Sequence, residues 1–531
     1  MIRARPNISI RAARLGAATT AVLALATACG SGGSTGASTP TPSAAPTTSA
    51  AASPTSASPS AVADLSWAKC DFQGPTDKDQ CAVLKVPLDY SAPSGATIDL
   101  QLVRRPAGKP ADRVGSLLLN PGGPGESVSD QFDGYADQLS KDLRDHFDIV
   151  GWDPRGTGRS SPVHCATGAQ LDHYLSLGYN LDVAAQQQQF AAVAKDYVAG
   201  CQKMSGDLLA HIGTVDTVHD MDLIRAAVGD DKLSFLGFSY GTIYGMTYAH
   251  FFPDKVRALA LDGAVDPRAS ALDDARIQSG GFESNIKAFL AHCKSQGDKC
   301  AWNVDDPTQA FTDLVDEVRQ HPLTTRESGR PLTLNLFMNG VSLAMYDTTF
   351  WPYLEHGLAA ASSGDGTQML ALADQLYSRT PDGKYPNLLD AFTAISCIDQ
   401  PFPTDLSAYV TLFDQLQTAD PLYTADSANP VGPGYTCGIW LVHPSGTAIP
   451  TTVPASVPPV LIVGSSDDPA TPFSEALGLQ EVIPGSYLLE RKGEGHTGYG
   501  ASTCVQERVD AYLIAPDQLP SAKHAVCAAG T

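Results

Sequence analysis

The chain has 531 residues, with 57 acidic side chains against 35 basic ones and a formal net charge of −22. That length exceeds one compact core, so two folded units or one unit with a large insertion are expected. The acidic balance and the lack of any basic cluster exclude nucleic acid as a partner, because phosphate binding needs concentrated Lys and Arg.

The first 63 residues differ in kind from the rest. Arg3, Arg5, Arg11 and Arg14 precede a short apolar stretch, Leu15 to Ala28, ending in small residues, which is the layout of a secretory signal peptide over 1–28. It is too short to span a membrane. Its end, Leu25-Ala26-Thr27-Ala28-Cys29-Gly30, resembles the lipobox of bacterial lipoproteins, with Ala26 departing from the usual leucine. The resemblance implies a lipidated Cys29, a membrane contact made only through that lipid, and a protein facing outside; the alternative is a plain secreted protein cut elsewhere. Residues 30–63 are small, polar and proline-rich without charge, so 29–63 reads as a tether that cannot bury enough surface to fold. Loss of the four leader arginines takes the formal charge from −22 to −26.

Ten of the eleven cysteines remain after Cys29. An even number in an exported chain favours disulfides, and pairing neighbours joins Cys70 to Cys81, Cys165 to Cys201, Cys293 to Cys300, Cys397 to Cys437 and Cys504 to Cys527. No C-x-x-C spacing occurs and the histidines are scattered, so no metal and no cofactor are expected.

From residue 64 onward, Thr97 to Val103 alternates like an antiparallel edge strand. Short, continuously apolar runs follow at Ser116 to Leu119, Phe147 to Val150, Leu233 to Leu236 and Ala258 to Leu261, the pattern of strands buried on both faces of a parallel sheet. Helical segments lie between them, including Val218 to Val228 and Thr242 to Phe251. This alternation predicts a doubly wound α/β sheet. It stops after Pro267 and resumes at Pro459 to Gly464, then Ser486 to Glu490. Between these, Ala271 to Lys294, Thr308 to Gln320, Val341 to Ser362 and Thr367 to Ser378 have helical periodicity. The expected organisation is therefore a core from 64–267 and 456–531, interrupted by a mainly helical cap over 268–455.

The chemistry concentrates on Gly237-Phe238-Ser239-Tyr240-Gly241, a G-x-S-x-G sequence after an apolar strand and before a helix. That context predicts a nucleophile elbow, whose strained turn leaves room only for glycine on either side. A serine hydroxyl needs a base and an orienting carboxylate. His496 lies in the glycine-flanked run Gly493-Glu494-Gly495-His496-Thr497-Gly498, and either Asp467 or Asp468 after the preceding strand can reach an imidazole. Donors for a developing oxyanion are expected from the Tyr240 N–H and from Gly123 in Asn120-Pro121-Gly122-Gly123-Pro124-Gly125-Glu126-Ser127.

These stretches, with Val86 to Tyr90, Gly151 to Pro162, Leu261 to Pro267 and Asp468 to Pro472, resemble the serine-peptidase branch of the α/β-hydrolases that contains the tripeptidyl aminopeptidases and, more distantly, the proline iminopeptidases. The resemblance runs from about residue 65 to the C-terminus. It implies an α/β-hydrolase fold, a triad of Ser239, Asp468 and His496, and cleavage of peptide substrates near a free N-terminus. Asp468 is the matching acid because proline follows it directly. Such an enzyme must bind the substrate ammonium, and Asp399 in the insert and Glu126 beside the oxyanion loop are the candidate carboxylates. Glu126 replaces a small residue common in the family, and Asp467 adds a charge beside the acid. Arg155 is expected to hold its turn by a salt bridge. Fold and triad do not separate amide from ester hydrolysis, so a carboxylesterase is the alternative, and an inactive binding lipoprotein the alternative from another class.

Overall fold

Ten strands make one sheet: β1 (Ala68–Lys69), β2 (Gln80–Pro87), β3 (Thr97–Arg105), β4 (Gly115–Asn120), β5 (Phe147–Trp152), β6 (Leu233–Phe238), β7 (Val256–Asp262), β8 (Leu461–Asp467), β9 (Tyr487–Glu494) and β10 (His524–Cys527). The computed structural model describes residues 65–425, 431–442, 448–519 and 522–530. The expected signal segment of 1–28, Cys29 and the expected tether of 29–63 lie outside the described residues. Spatial order is β1-β2-β3-β5-β4-β6-β7-β8-β9-β10. Pairing is antiparallel from β1 through β3 to β5 and parallel from β5 onward.

The apolar runs become strands because both faces are covered. β4, β5 and β6 are buried along their whole length. Alternate side chains go to opposite faces: Leu118 and Phe235 pack with Met221, Ile224 and Tyr244, whereas Leu117, Leu119 and Leu236 pack with Phe132, Leu143 and Val509. β3 is antiparallel as expected but is not an edge strand. β2 pairs with it along its whole length, from Gln80 opposite Arg104 to Pro87 opposite Thr97.

Arg155 is fully buried. Its guanidinium donates to both oxygens of Asp220 at 2.7 Å and to the backbone oxygens of Pro87, Leu88 and His211. The turn after β5 is thereby locked to the helix Thr214–Ala227.

Between β7 and β8 the chain forms helices that include Ala271–Gln296, Leu334–Tyr346, Trp351–Ala361 and Leu388–Asp399. The helical stretch expected over 341–362 is thus two helices. Asp347 interrupts it, its carboxylate accepting the Thr349 N–H at 2.8 Å, and Pro352 at the start of the next helix cannot donate into the previous turn. The cap also recruits a segment that periodicity alone assigned to the core. Between β5 and β6, the helix Ala184–Ser205 buries Tyr197, Val198 and Cys201 against Ala391, Ala394 and Cys397.

Disulfides join Cys70 to Cys81, Cys165 to Cys201, Cys293 to Cys300, Cys397 to Cys437 and Cys504 to Cys527. The first and last tie down the two ends of the sheet, and the pattern is that of a protein matured in an oxidising compartment.

Asp220→Asn strands the buried Arg155 charge and is expected to lower the unfolding free energy by about 3–5 kcal/mol, read as a shift of the urea midpoint at constant slope.

Candidate active site

The carboxyl ends of β4, β6, β7, β8 and β9 deliver the site. At the end of β6, Ser239 has φ of +53°, in the left-handed region that strains an L side chain. The turn persists because its backbone is fully engaged: the Ser239 N–H donates to the Asp262 oxygen at 2.8 Å, and the Ser239 oxygen accepts from the Thr242 N–H at 2.8 Å and hydroxyl at 2.6 Å. A Cβ at Gly237 would stand 2.5 Å from the Gly241 oxygen. Glycine there is a steric requirement of the elbow.

The loop after β4 lies directly on that elbow. Gly122 has φ of +95°, and a Cβ on it would stand 2.5 Å from the Phe238 oxygen and 2.7 Å from the Tyr240 nitrogen. The Gly122 N–H is held by the Asn120 side chain at 2.9 Å. The segment containing Gly123 is therefore fixed beside the backbone of Tyr240.

Asp468 and His496 meet in a buried pair, with exposures of 2% and 9%. His496 Nδ1 is 2.9 and 3.0 Å from the two Asp468 oxygens, and the Thr471 hydroxyl is 3.3 Å away. Asp468 also accepts the N–H groups of Ala470, Thr471 and Thr497, so its charge is solvated by donors fixed in place. Asp467 turns outward, exposed and bonded to the Ser466 hydroxyl. Of the adjacent aspartates, Asp468 is the one that faces the imidazole. His496 Nε2 is buried with no hydrogen-bond partner among the described residues. With Nδ1–H turned to a carboxylate, that free nitrogen is an acceptor.

The cap completes the site. Tyr346, at the end of its helix, accepts the His496 N–H at 2.7 Å, and its ring stands edge-on to the imidazole with centroids 5.6 Å apart. Asn285 donates to the Asp467 backbone oxygen at 3.1 Å. The Leu388–Asp399 helix lies across the loop after β4, where a Cβ on Gly125 would meet the Phe392 nitrogen at 2.7 Å. At the end of that helix, half-buried Asp399 accepts the Thr214 N–H at 2.8 Å, the Thr214 hydroxyl at 2.7 Å and the hydroxyl of Tyr240. Burial pushes its pKa up to about 6, against the pull of these donors. Glu126 is only 4% exposed and is bonded to Gln131 and Tyr135 of the core; burial raises its pKa to about 7.

A strained serine on a strand-to-helix elbow and a buried Asp–His pair after later strands of a mostly parallel sheet describe a recurring architecture. A family model for the alpha/beta hydrolase fold matches residues 115–500. The chain belongs to the α/β-hydrolase family. Among curated relatives, this α/β-hydrolase is 35% identical over 483 residues to serine protease Hip1 of Mycobacterium tuberculosis, covering 88% of this chain and 91% of the relative. It is 34% identical over 471 residues to carboxylesterase B of the same organism, covering 86% and 89%. It is 30% identical over 485 residues to tripeptidyl aminopeptidase of Streptomyces lividans, covering 86% of each.

Motif spacing pointed to Ser239, His496 and the Asp467–Asp468 pair but not to Tyr346, Thr214 or Asn285. Those three sit in helices whose sequences carry no local mark of a site.

Gly122→Ala pushes a methyl into the elbow and is expected to slow fluorophosphonate labelling of Ser239 by about a hundredfold or more; labelling rate measured beside thermal unfolding separates this from simple loss of fold.

Proposed function

We propose that this protein is a serine exopeptidase that cleaves peptides near a free N-terminus through an acyl-enzyme on Ser239. The single observation that carries the acyl-enzyme chemistry is the buried Asp468–His496 pair with its unpartnered Nε2, on a loop that Asp262 ties to the elbow holding Ser239 at φ of +53°.

In this mechanism Ser239 Oγ attacks the scissile carbonyl carbon as His496 Nε2 takes its proton. Asp468 holds the Nδ1–H tautomer and stabilises the imidazolium that forms. The carbonyl oxygen gains negative charge that the N–H groups of Tyr240 and Gly123 receive in this mechanism, a role supported by the packing of the Gly122 segment against the Tyr240 backbone. Collapse of the tetrahedral species breaks the C–N bond, and the imidazolium gives its proton to the leaving amine. Water then repeats the sequence on the ester and frees Ser239.

Asp399 is our choice for the substrate ammonium. It is more exposed than Glu126, it lies beside the residue that follows the nucleophile, and its three donors leave room for a fourth. Glu126 is spent on Gln131 and Tyr135, which braces the oxyanion loop. We further propose that lipidated Cys29 anchors the enzyme outside the cell on a tether of 29–63. A carboxylesterase is the second reading, favoured by the 34% identity to carboxylesterase B; a carboxylate bonded to the side chain of Tyr240, the residue after Ser239, favours the peptidase.

Ser239→Ala is expected to keep the fold and abolish release of an N-terminal chromogenic tripeptide amide; unchanged release would refute the assignment. A free tripeptide amide should be cleaved well and its N-acetyl form poorly, whereas better turnover of acetylated peptides or of a p-nitrophenyl ester would favour the esterase. Absence of any fluorophosphonate labelling would favour an inactive binding protein.

The Asp399 pKa, raised to about 6, places its ionised form above that pH. KM for the free tripeptide amide is therefore expected to rise as pH falls through about 6, with KM for the acetylated peptide flat over the same range.

A further inference from the structure

A second buried carboxylate stands behind the histidine. Asp262, at the end of β7, is 0% exposed and has no cation among its hydrogen-bond partners in the described residues. Its two side-chain oxygens accept the N–H of Gly498 at 2.8 Å and of Tyr499 at 2.6 Å. Its backbone oxygen accepts the N–H of Ser239 at 2.8 Å. One residue thus ties the nucleophile elbow to the loop that carries the base. The next residue, Gly263, comes so close that a Cβ on it would stand 3.1 Å from His496 Cε1.

We propose that Asp262 is a positioning residue for His496, fixing the 496–499 loop through two amides and adding a second negative charge behind the imidazole. The inference rests on the Ser239–His496 mechanism proposed above. A buried carboxylate bound only by amides keeps an uncompensated charge, and the imidazolium of the transition state is the cation that answers it. Burial raises the Asp262 pKa, while the two amides and His496 oppose that rise.

Other charged or titratable groups about the loop have their own tasks. Asp468 of the β8 loop binds Nδ1. Arg491 of β9 donates to the backbone oxygens of Glu494, Gly495 and Thr497. Tyr346 of the cap meets the ring edge-on, with Asp347 following it near Gly495. The Tyr499 hydroxyl turns away to Asp510. Asp468 takes the first amide after the histidine, that of Thr497, and Asp262 takes the next two, those of Gly498 and Tyr499.

The test is the pH dependence of fluorophosphonate labelling of Ser239 in the full chain and in Asp262→Asn, which removes the charge at nearly constant shape. The ascending limb reports loss of the His496 proton. Removing a nearby negative charge favours the neutral imidazole, so that limb is expected to move to lower pH by about half a unit. The loosened loop is expected to slow the plateau rate about tenfold. An unmoved limb overturns the proposal whether or not the plateau falls, because a merely structural carboxylate would lower the rate without moving the limb. If the variant does not melt cooperatively, hydrogen exchange of the wild-type segment 497–500 decides: protection of the Gly498 and Tyr499 amides equal to that of β7 supports the proposal, and rapid exchange overturns it. A wild-type protein that is never labelled would instead overturn the Ser239 mechanism itself.

Discussion

The carboxylate of Asp468 is held away from water by a cage of donors, the N–H groups of Ala470, Thr471 and Thr497 together with the His496 ring, and the rest of the site is arranged around that charge. A buried anion is tolerated only when its hydrogen bonds are made in advance. Once they are, the imidazole is held by Nδ1 and its other nitrogen is left free. The proline after the aspartate and the glycines around the histidine serve this one geometry, because the two loops must approach closely enough for Thr497 N–H to reach the same carboxylate.

The cap is part of this machinery. Tyr346 holds the histidine backbone, Asn285 the acid loop, Phe392 lies against the oxyanion loop and Asp399 grips the side chain of Tyr240. Every catalytic loop thus has one contact with the core beneath it and one with the helices above it. The disulfide between Cys397 and Cys437 fixes the end of the helix that carries Asp399, so the carboxylate that grips Tyr240 is braced covalently. A site built this way is pre-organised, with its geometry set before substrate arrives.

The elbow was legible because its requirements are local. Gly237 and Gly241 answer clashes with atoms a few residues away or in the adjoining loop, and Ser239 is strained by its own backbone. The parallel strands were legible because burial on both faces leaves an uninterrupted apolar run. β3 was misplaced as an edge strand because alternation reports which face is wet and not whether another strand lies alongside. The single helix expected over 341–362 failed because helical period continues across Asp347, whereas the break depends on one carboxylate capping the following turn.

The sequence by itself determined the fold class and pointed to Ser239 as nucleophile and His496 as base; residue chemistry narrowed the acid to two neighbours, and the family resemblance chose Asp468 between them. Apart from that choice, each of these follows from local sterics, strand burial or residue chemistry, which act over a few positions. Only the tertiary structure gave the geometry of that choice, with both Asp468 oxygens on the histidine ring and Asp467 facing solvent. It alone drew the helix Ala184–Ser205 into the cap and put Asp262 and Tyr346 against the histidine loop. Those contacts join residues far apart in the chain, and the crossing of strand ends that brings them within hydrogen-bond reach leaves no periodic or compositional trace in any one segment.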